Sequence, residues 1–184
     1  MKLIKILFII FISLTTTIKA ESNKNLINEL KSGGKIIFIR HALAPGGGDP
    51  EDFDILNCNT QRNLNEVGRE QAKRIGKFFS KEKIPIKEVI SSEWCRCKET
   101  ANLAFQKFET FDALNSFYDP KFYKNKESQL ERLINFINNL KNEGNIVFVT
   151  HYVVIAAIFG QALTSGEILI ADRNLNVLGR IKDY

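Results

Sequence analysis

The sequence predicts an α/β fold, a mostly parallel sheet with helices on both faces and an antiparallel hairpin at one edge. Three observations predict it. Short apolar runs rich in β-branched residues alternate with segments of helical period, the pattern of βαβ units joined by right-handed crossovers. Two of those runs, Ile36–Ile39 and Ile146–Val149, end alike: the first runs into Arg40-His41, the second into Thr150-His151. The last two runs, Ile168–Ala171 and Val177–Ile181, flank the turn sequence Asp172-Arg173-Asn174, as in an edge hairpin.

Taken in order, Ser22 can cap a short helix through Leu30 that ends at Gly33-Gly34. The first strand follows. A long loop from Ala42 to about Arg62, rich in Gly, Pro, Asp and Asn, has the length of a functional segment. Asn65 then caps a helix from Glu66 to about Phe79, with Val67, Ala72, Ile75 and Phe78/Phe79 on its apolar face. Pro85 precedes a short strand, Glu88–Ser91, and a helix follows from Ser91-Ser92 to about Phe105. A strand is expected at Phe111–Leu114, followed by an irregular aromatic stretch from Phe117 to Tyr123. The clearest helix spans Glu127–Leu140, where Leu130, Leu133, Ile134, Ile137 and Leu140 keep helical spacing and Gly144 closes it. After the strand that ends at His151, Tyr152–Phe159 is apolar all round and predicts a buried helix.

The first twenty residues stand apart. A basic start (Lys2, Lys5), an apolar run from Ile4 to Leu14, and a polar stretch ending at Ala20-Glu21 have the anatomy of a cleaved secretory signal peptide, too short for a comfortable membrane span. An uncleaved N-terminal anchor is the alternative. The segment holds no cysteine, so a lipid-anchored lipoprotein is not indicated. The expected layout is a signal peptide over residues 1–20 and one domain over 21–184, periplasmic or secreted. The formal charge of +5 includes Lys2, Lys5 and Lys19; without them the remainder carries +2. No Lys/Arg run points to nucleic acid. After signal cleavage no stable membrane insertion is expected.

Export makes the cysteines chemically relevant, because an oxidising compartment permits a disulfide. Cys95 and Cys97 are too close in sequence to bridge easily, so Cys58 with one of them is the favoured pair. C-x-C with a distant third cysteine and no nearby histidine is poor zinc spacing.

The chain has two histidines, each just past the C-terminal end of an apolar strand, the edge where open α/β sheets bind ligands. Arg40-His41, Arg96 shortly after Ser91-Ser92, and His151 would leave three strands at that edge. Forked guanidiniums match phosphate oxygens. A neutral imidazole between them keeps a ring nitrogen free to attack phosphorus, and a second one can hold a phosphoryl oxygen in the transition state. No ligand cluster calls for a metal or another cofactor. Ala44-Pro45-Gly46-Gly47-Gly48-Asp49-Pro50 can bring backbone N–H groups to a substrate but lacks the Gly-Lys-Ser/Thr ending of a nucleotide-binding loop. Gln61-Arg62-Asn63 is either pocket mouth or helix lead-in, and Trp94 either packing or pocket border.

Together, Arg40-His41, Ser91-Ser92-x-x-x-Arg96-x-x-x-Thr100-Ala101 and Thr150-His151 resemble the histidine phosphatase superfamily, the phosphoglycerate-mutase-like fold. Leu64-Asn65-x-x-Gly68-x-x-Gln71-Ala72 resembles the helix after that family's first motif. The resemblance runs from about Lys35 to Arg180. It implies a three-layer α/β/α sandwich and a phosphohistidine on His41, with Arg40, Arg96 and His151 completing the phosphate pocket. Ala42 stands where the family commonly has glycine. The family's usual acidic proton donor is not evident: Asp119 and Glu127 follow Arg96 at about the right distance, and Asp49 and Asp54 lie in the long loop. The loop also resembles an exported bacterial branch that acts on lipopolysaccharide sugar phosphates. The expected activity is a metal-independent phosphomonoesterase acting on an exported or envelope phosphate ester. The alternatives are a protein phosphohistidine phosphatase and a non-catalytic binder of anionic sugars; export disfavours a glycolytic mutase.

Overall fold

The computed structural model describes residues 24–141 and 143–184; the leader expected over residues 1–20 and the Ser22 cap lie outside them. The fold is the mixed α/β sandwich expected. Six strands form one sheet in the order β3-β2-β4-β1-β5-β6: β1 (Ile36–Arg40), β2 (Ile86–Ser91), β3 (Glu109–Thr110), β4 (Asn145–Thr150), β5 (Ile168–Ala171) and β6 (Val177–Ile181). The first four run parallel, whereas β5 and β6 are antiparallel and form the edge hairpin.

Strand alternation divides the core in two. Ile37 and Ile39 of β1 face one side with Val147 and Val149 of β4, and Ile36 and Phe38 face the other with Ile146 and Phe148. The first layer is covered by α1 (residues 24–31), α2 (Glu66–Lys81) and α3 (Cys95–Phe105), the second by α5 (Lys126–Asn138) and α6 (Tyr152–Phe159). A short helix, α4 (Pro120–Tyr123), lies between β3 and α5. Among the described residues no helix is long and apolar enough to cross a membrane.

Four local expectations are corrected. Phe111–Leu114 is not a strand. β3 ends at Thr110, Phe111 N–H still donates to Ser91 C=O, and the chain then turns into a 3₁₀ helix, Asp112–Leu114. That turn buries Ala113 and Leu114, and Thr150 Oγ1 donates to Leu114 C=O. Val67 does not join the apolar face of α2 and is 59% exposed. The buried stripe is Gly68, Ala72, Ile75 and Phe79, and Val67 lies one residue, about 100°, off it. Gly68 is needed there, because a Cβ would lie 2.0 Å from Leu43 C=O. Asn139, not Gly144, caps α5 at its C-terminus. Finally, α6 buries only Val154 and Ile155, since one side of it lies against the sheet.

Chain order fixes the site. β4 inserts between β2 and β1, so the crossovers leave in different directions on its two sides, and a crevice opens at the C-terminal ends of these strands. Arg40 pairs in register with Thr150, and Ser91 with Val149. The residues that follow, His41, Ser92 and His151, therefore emerge side by side.

Candidate active site

His41, His151, Arg40 and Arg96, the four site residues expected from sequence, line one pocket of about 160 Å³. Both imidazoles are buried, with ring centroids 5.4 Å apart and edge to face. Arg40 reaches it from the end of β1, with its guanidinium 5.0 Å from the Tyr152 ring centre and Nη1 donating to Leu163 C=O at 2.7 Å. Arg96 reaches it from the first turn of α3. Arg40 Nε and Arg96 Nε are buried without a hydrogen-bond partner among the described residues.

The local hydrogen bonds decide what each imidazole offers. His41 Nδ1 lies 2.8 Å from Ala42 C=O. A carbonyl only accepts, so Nδ1 carries the proton and Nε2 keeps its lone pair. Burial, then the Arg96 charge and behind it Arg40 and Arg62, push the His41 pKa well below the usual histidine value. At neutral pH the ring is a free nucleophile. Ala42, at the position where glycine is common in the family it resembles, is fully buried, and its N–H donates to Thr100 Oγ1. His151 is likewise held neutral by burial, Arg96 and His41. Its Nδ1 lies 3.5 Å from Arg96 Nη2, and its Nε2 lies 3.0 Å from Ser92 Oγ and 3.5 Å from Cys97 Sγ.

The four acidic candidates separate. Asp49 binds Arg96 through both oxygens, at 2.7 and 3.2 Å, and also accepts from Arg62 N–H and Trp94 Nε1. Burial alone would raise its pKa, but the Arg96 guanidinium, the Trp94 N–H and the Arg62 N–H outweigh that and hold it below the usual carboxylate range. It is a fixed anion, ill suited to donating a proton. Asp119 lines the same pocket. One of its oxygens caps α4 at Lys121 N–H, and the other has no partner among the described residues. Asp54 is exposed in a neighbouring groove, where it accepts from Leu56 N–H, and Glu127 is exposed on α5. Neither lines the pocket.

Sequence reasoning undervalued Arg62. It is a third guanidinium on the pocket wall, donating through Nε to Gly48 C=O at 2.8 Å and through Nη1 to Ala44 C=O. Its acceptors are neutral carbonyls, so its charge is not cancelled by them. Its signal in sequence was composition alone, an arginine at the end of a long loop. Trp94 turns out to do both things expected of it: it is buried and it lines the pocket. Gln61 ties the loop to α3, accepting from Cys95 N–H and donating to the carbonyls of Asp54 and Ile55. A Cys58–Cys95 disulfide makes the same connection covalent; Cys97 stays a buried thiol, its pKa pushed up to about 12 by burial.

A larger groove of about 690 Å³ adjoins the pocket and shares Trp94, Ser116 and Phe122 with it. Phe53 gives it an aromatic wall, Asn115, Asn125, Ser128 and Gln129 supply polar groups, and Lys121 lies over the Phe53 and Phe122 rings. Among the described residues no cluster of three or more His, Cys, Asp or Glu is placed to hold a metal.

Known proteins sharpen this picture. The family model of the histidine phosphatase superfamily (branch 1) matches residues 36–114, the stretch bearing Arg40, His41 and Arg96. Similar solved structures include a phosphoglycerate mutase from Thermus thermophilus, at 19% identity and a TM-score of 0.59, covering 82% of this chain and 99% of that one. A protein of Agrobacterium tumefaciens named as the putative phosphohistidine phosphatase SixA has 16% identity and a TM-score of 0.59, covering 83% and 99%. The product of the Mycobacterium tuberculosis open reading frame Rv3214 has 16% identity and a TM-score of 0.54, covering 74% and 89%. No curated protein matches by sequence. The family model spans less than half of the chain, and the solved structures, each under 20% identical, share its fold.

Proposed function

We propose that the chain is a metal-independent phosphomonoesterase that works through a phosphohistidine on His41. One observation carries this reading: two neutral imidazoles 5.4 Å apart share a small pocket with three guanidiniums. Arg40, Arg62 and Arg96 outnumber the lining carboxylates Asp49 and Asp119, which leaves positive charge for a phosphate. The Nε–H groups of Arg40 and Arg96, unpaired among the described residues, are donors that phosphoryl oxygens would satisfy.

His41 Nε2 attacks phosphorus, and the bond to the ester oxygen breaks with its electron pair on that oxygen. The guanidiniums and His151 stabilise the charge on the transferring group. Asp119, with one uncommitted oxygen on the pocket wall, gives the leaving oxygen a proton. It then takes a proton from the water that attacks phosphorus as the P–N bond breaks.

The substrate belongs to the envelope or exterior and is a sugar phosphate. The leader-like residues 1–20, the Cys58–Cys95 bond, which oxidising compartments favour, and the resemblance of the Ala44–Pro50 loop support this. The adjoining groove, with its aromatic wall, amides and hydroxyls, suits a polyol leaving group. A protein phosphohistidine phosphatase is the second reading, favoured by the likeness to the Agrobacterium protein.

Turnover of p-nitrophenyl phosphate by the exported chain tests the proposal, since that leaving group needs little protonation. Hydrolysis by the wild type, insensitive to EDTA and inhibited by vanadate, is expected, as is phosphoenzyme that survives alkali and decays in acid. No turnover, or acid-stable label, would overturn it.

A further inference from the structure

His151 is the buried end of a partly buried hydrogen-bond chain that assigns its proton. Asn115 Nδ2 donates to Glu93 Oε2 at 2.7 Å, and Glu93 N–H donates to Asn115 Oδ1 at 2.9 Å. A carboxylate only accepts and a backbone N–H only donates, so the Asn115 amide has a single orientation here. Ser92 Oγ lies 2.9 Å from that same Oδ1, so the hydroxyl must give its only proton to Asn115. Facing His151 Nε2 at 3.0 Å, Ser92 Oγ can then only accept, as it also does from Trp94 N–H.

We propose that Ser92 and Asn115 are positioning residues that lock the His151 proton on Nε2, so that the ring meets the phosphate with the lone pair of Nδ1. Asn115 lies beyond the 36–114 stretch that the family model matches, on the loop between the 3₁₀ turn and α4. The effect on turnover rests on the phosphatase reading; the tautomer does not.

The chemistry that follows is specific. A neutral His151 cannot donate to a phosphoryl oxygen and must first gain a proton at Nδ1. A phosphate monoester monoanion supplies one: its O–H bond breaks as Nδ1–H forms, leaving a dianion beside an imidazolium, and no other proton moves. The imidazolium then donates to that oxygen as phosphorus is attacked. The charged and titratable groups around His151 are Arg40 and His41 from the end of β1, Arg62 from the long loop, and Arg96 and Cys97 from α3. Asp49 acts on it through Arg96, and Glu93 through Asn115.

Long-range ¹H–¹⁵N spectra of the histidine rings in the folded full chain decide the matter. At neutral pH His151 should be protonated on Nε2 and His41 on Nδ1. Asn115→Leu should turn His151 into a tautomer mixture and lower kcat at least about tenfold with little change in KM. The paired exchange Asn115→Asp with Glu93→Gln reverses the bond between those two side chains, leaves an oxygen at position 115 to accept from Ser92 Oγ and from the backbone N–H of residue 93, and should restore both the spectrum and turnover. A wild-type His151 protonated on Nδ1 would overturn the proposal, as would a folded Asn115→Leu with unchanged ring signals. If Asn115→Leu does not fold, a paired exchange that loses the Nε2–H signal does the same. Expected spectra in a protein that hydrolyses no phosphate ester would leave the lock standing and remove the phosphatase reading instead.

Discussion

His41 and His151 follow strands of nearly the same pattern, Ile-Ile-Phe-Ile-Arg and Ile-Val-Phe-Val-Thr, and sit level at adjacent strand ends. Their surroundings nevertheless make them chemical opposites. His41 keeps its proton on Nδ1, where it donates to the next residue's carbonyl, so its Nε2 is free. His151 is held at Nε2 by a side chain that follows another strand, so its lone pair is on Nδ1, 3.5 Å from Arg96 Nη2. A local backbone bond and a long-range side-chain bond thus turn one residue type to two uses. Type and position alone do not set the role; the partner of the second ring nitrogen does.

The sharpest break of that comparison is removal of each ring. His41→Ala should lose turnover of an aryl phosphate by at least about a thousandfold and trap no phosphoenzyme, since the nucleophile is gone. His151→Ala should lose about a hundred- to a thousandfold, the scale of a lost transition-state donor, while still accumulating label. Rapid-quench labelling beside steady-state rates checks both. Equal labelling in the two variants would erase the distinction.

Next in size is the anion that both histidines sense through Arg96. With side chains 3% and 12% exposed, the Arg96–Asp49 pair is buried. Asp49→Asn would leave a buried guanidinium uncompensated and should cost about 3–5 kcal/mol in urea unfolding. Because the pocket then becomes more positive, vanadate should bind the folded variant about tenfold more tightly, one charge interaction's worth. Weaker binding would mean that Asp49 serves to aim Arg96 rather than to offset it.

Both rings share one property that pH can expose. Their pKa values are lowered in the folded state from the ordinary 6.5, so the unfolded chain binds protons that the folded chain refuses. Stability from this source is intact above pH 6.5, starts to fall as pH drops through the unfolded value, and goes on falling until the folded values are reached. Two such groups give a slope of at most about 2.7 kcal/mol per pH unit. Urea unfolding between pH 7 and 5 should show the loss, and His41→Gln/His151→Gln should flatten it. Bound phosphate should also reduce it, by favouring the charged His151.

The features legible in sequence are those with a local signal. Apolar strands that stop at Arg40-His41 and Thr150-His151 announced both the sheet and the converging site, because alternation and termination are read residue by residue. Arg62 stood in the sequence as either pocket mouth or helix lead-in, and Asn115 announced nothing. Each sits in an aperiodic loop, and its importance comes from what lies across the pocket, Gly48 and Ala44 for one and Ser92 and Glu93 for the other. Phe111–Leu114 misled for a related reason: its apolar residues serve a turn that plugs the core under β4, and composition does not distinguish that from a strand.

The smallest effect concerns the proton on the leaving group, where the two histidines do not compete. Asp119 is the pocket carboxylate with an oxygen that no described residue occupies, whereas Asp49 is tied by four donors. Asp119→Asn should therefore hardly alter p-nitrophenyl phosphate turnover, whose leaving oxygen departs as a stable anion. It should slow an alkyl phosphate, such as a hexose 6-phosphate, by about a hundredfold, the lower end of general-acid contributions. The ratio of the two rates, wild type over variant, is the measurement. A ratio unchanged between substrates would exclude Asp119 as the donor. The polyol in the adjoining groove would then have to leave with a proton taken from water, and the pocket would act on charge stabilisation by its arginines and His151 alone.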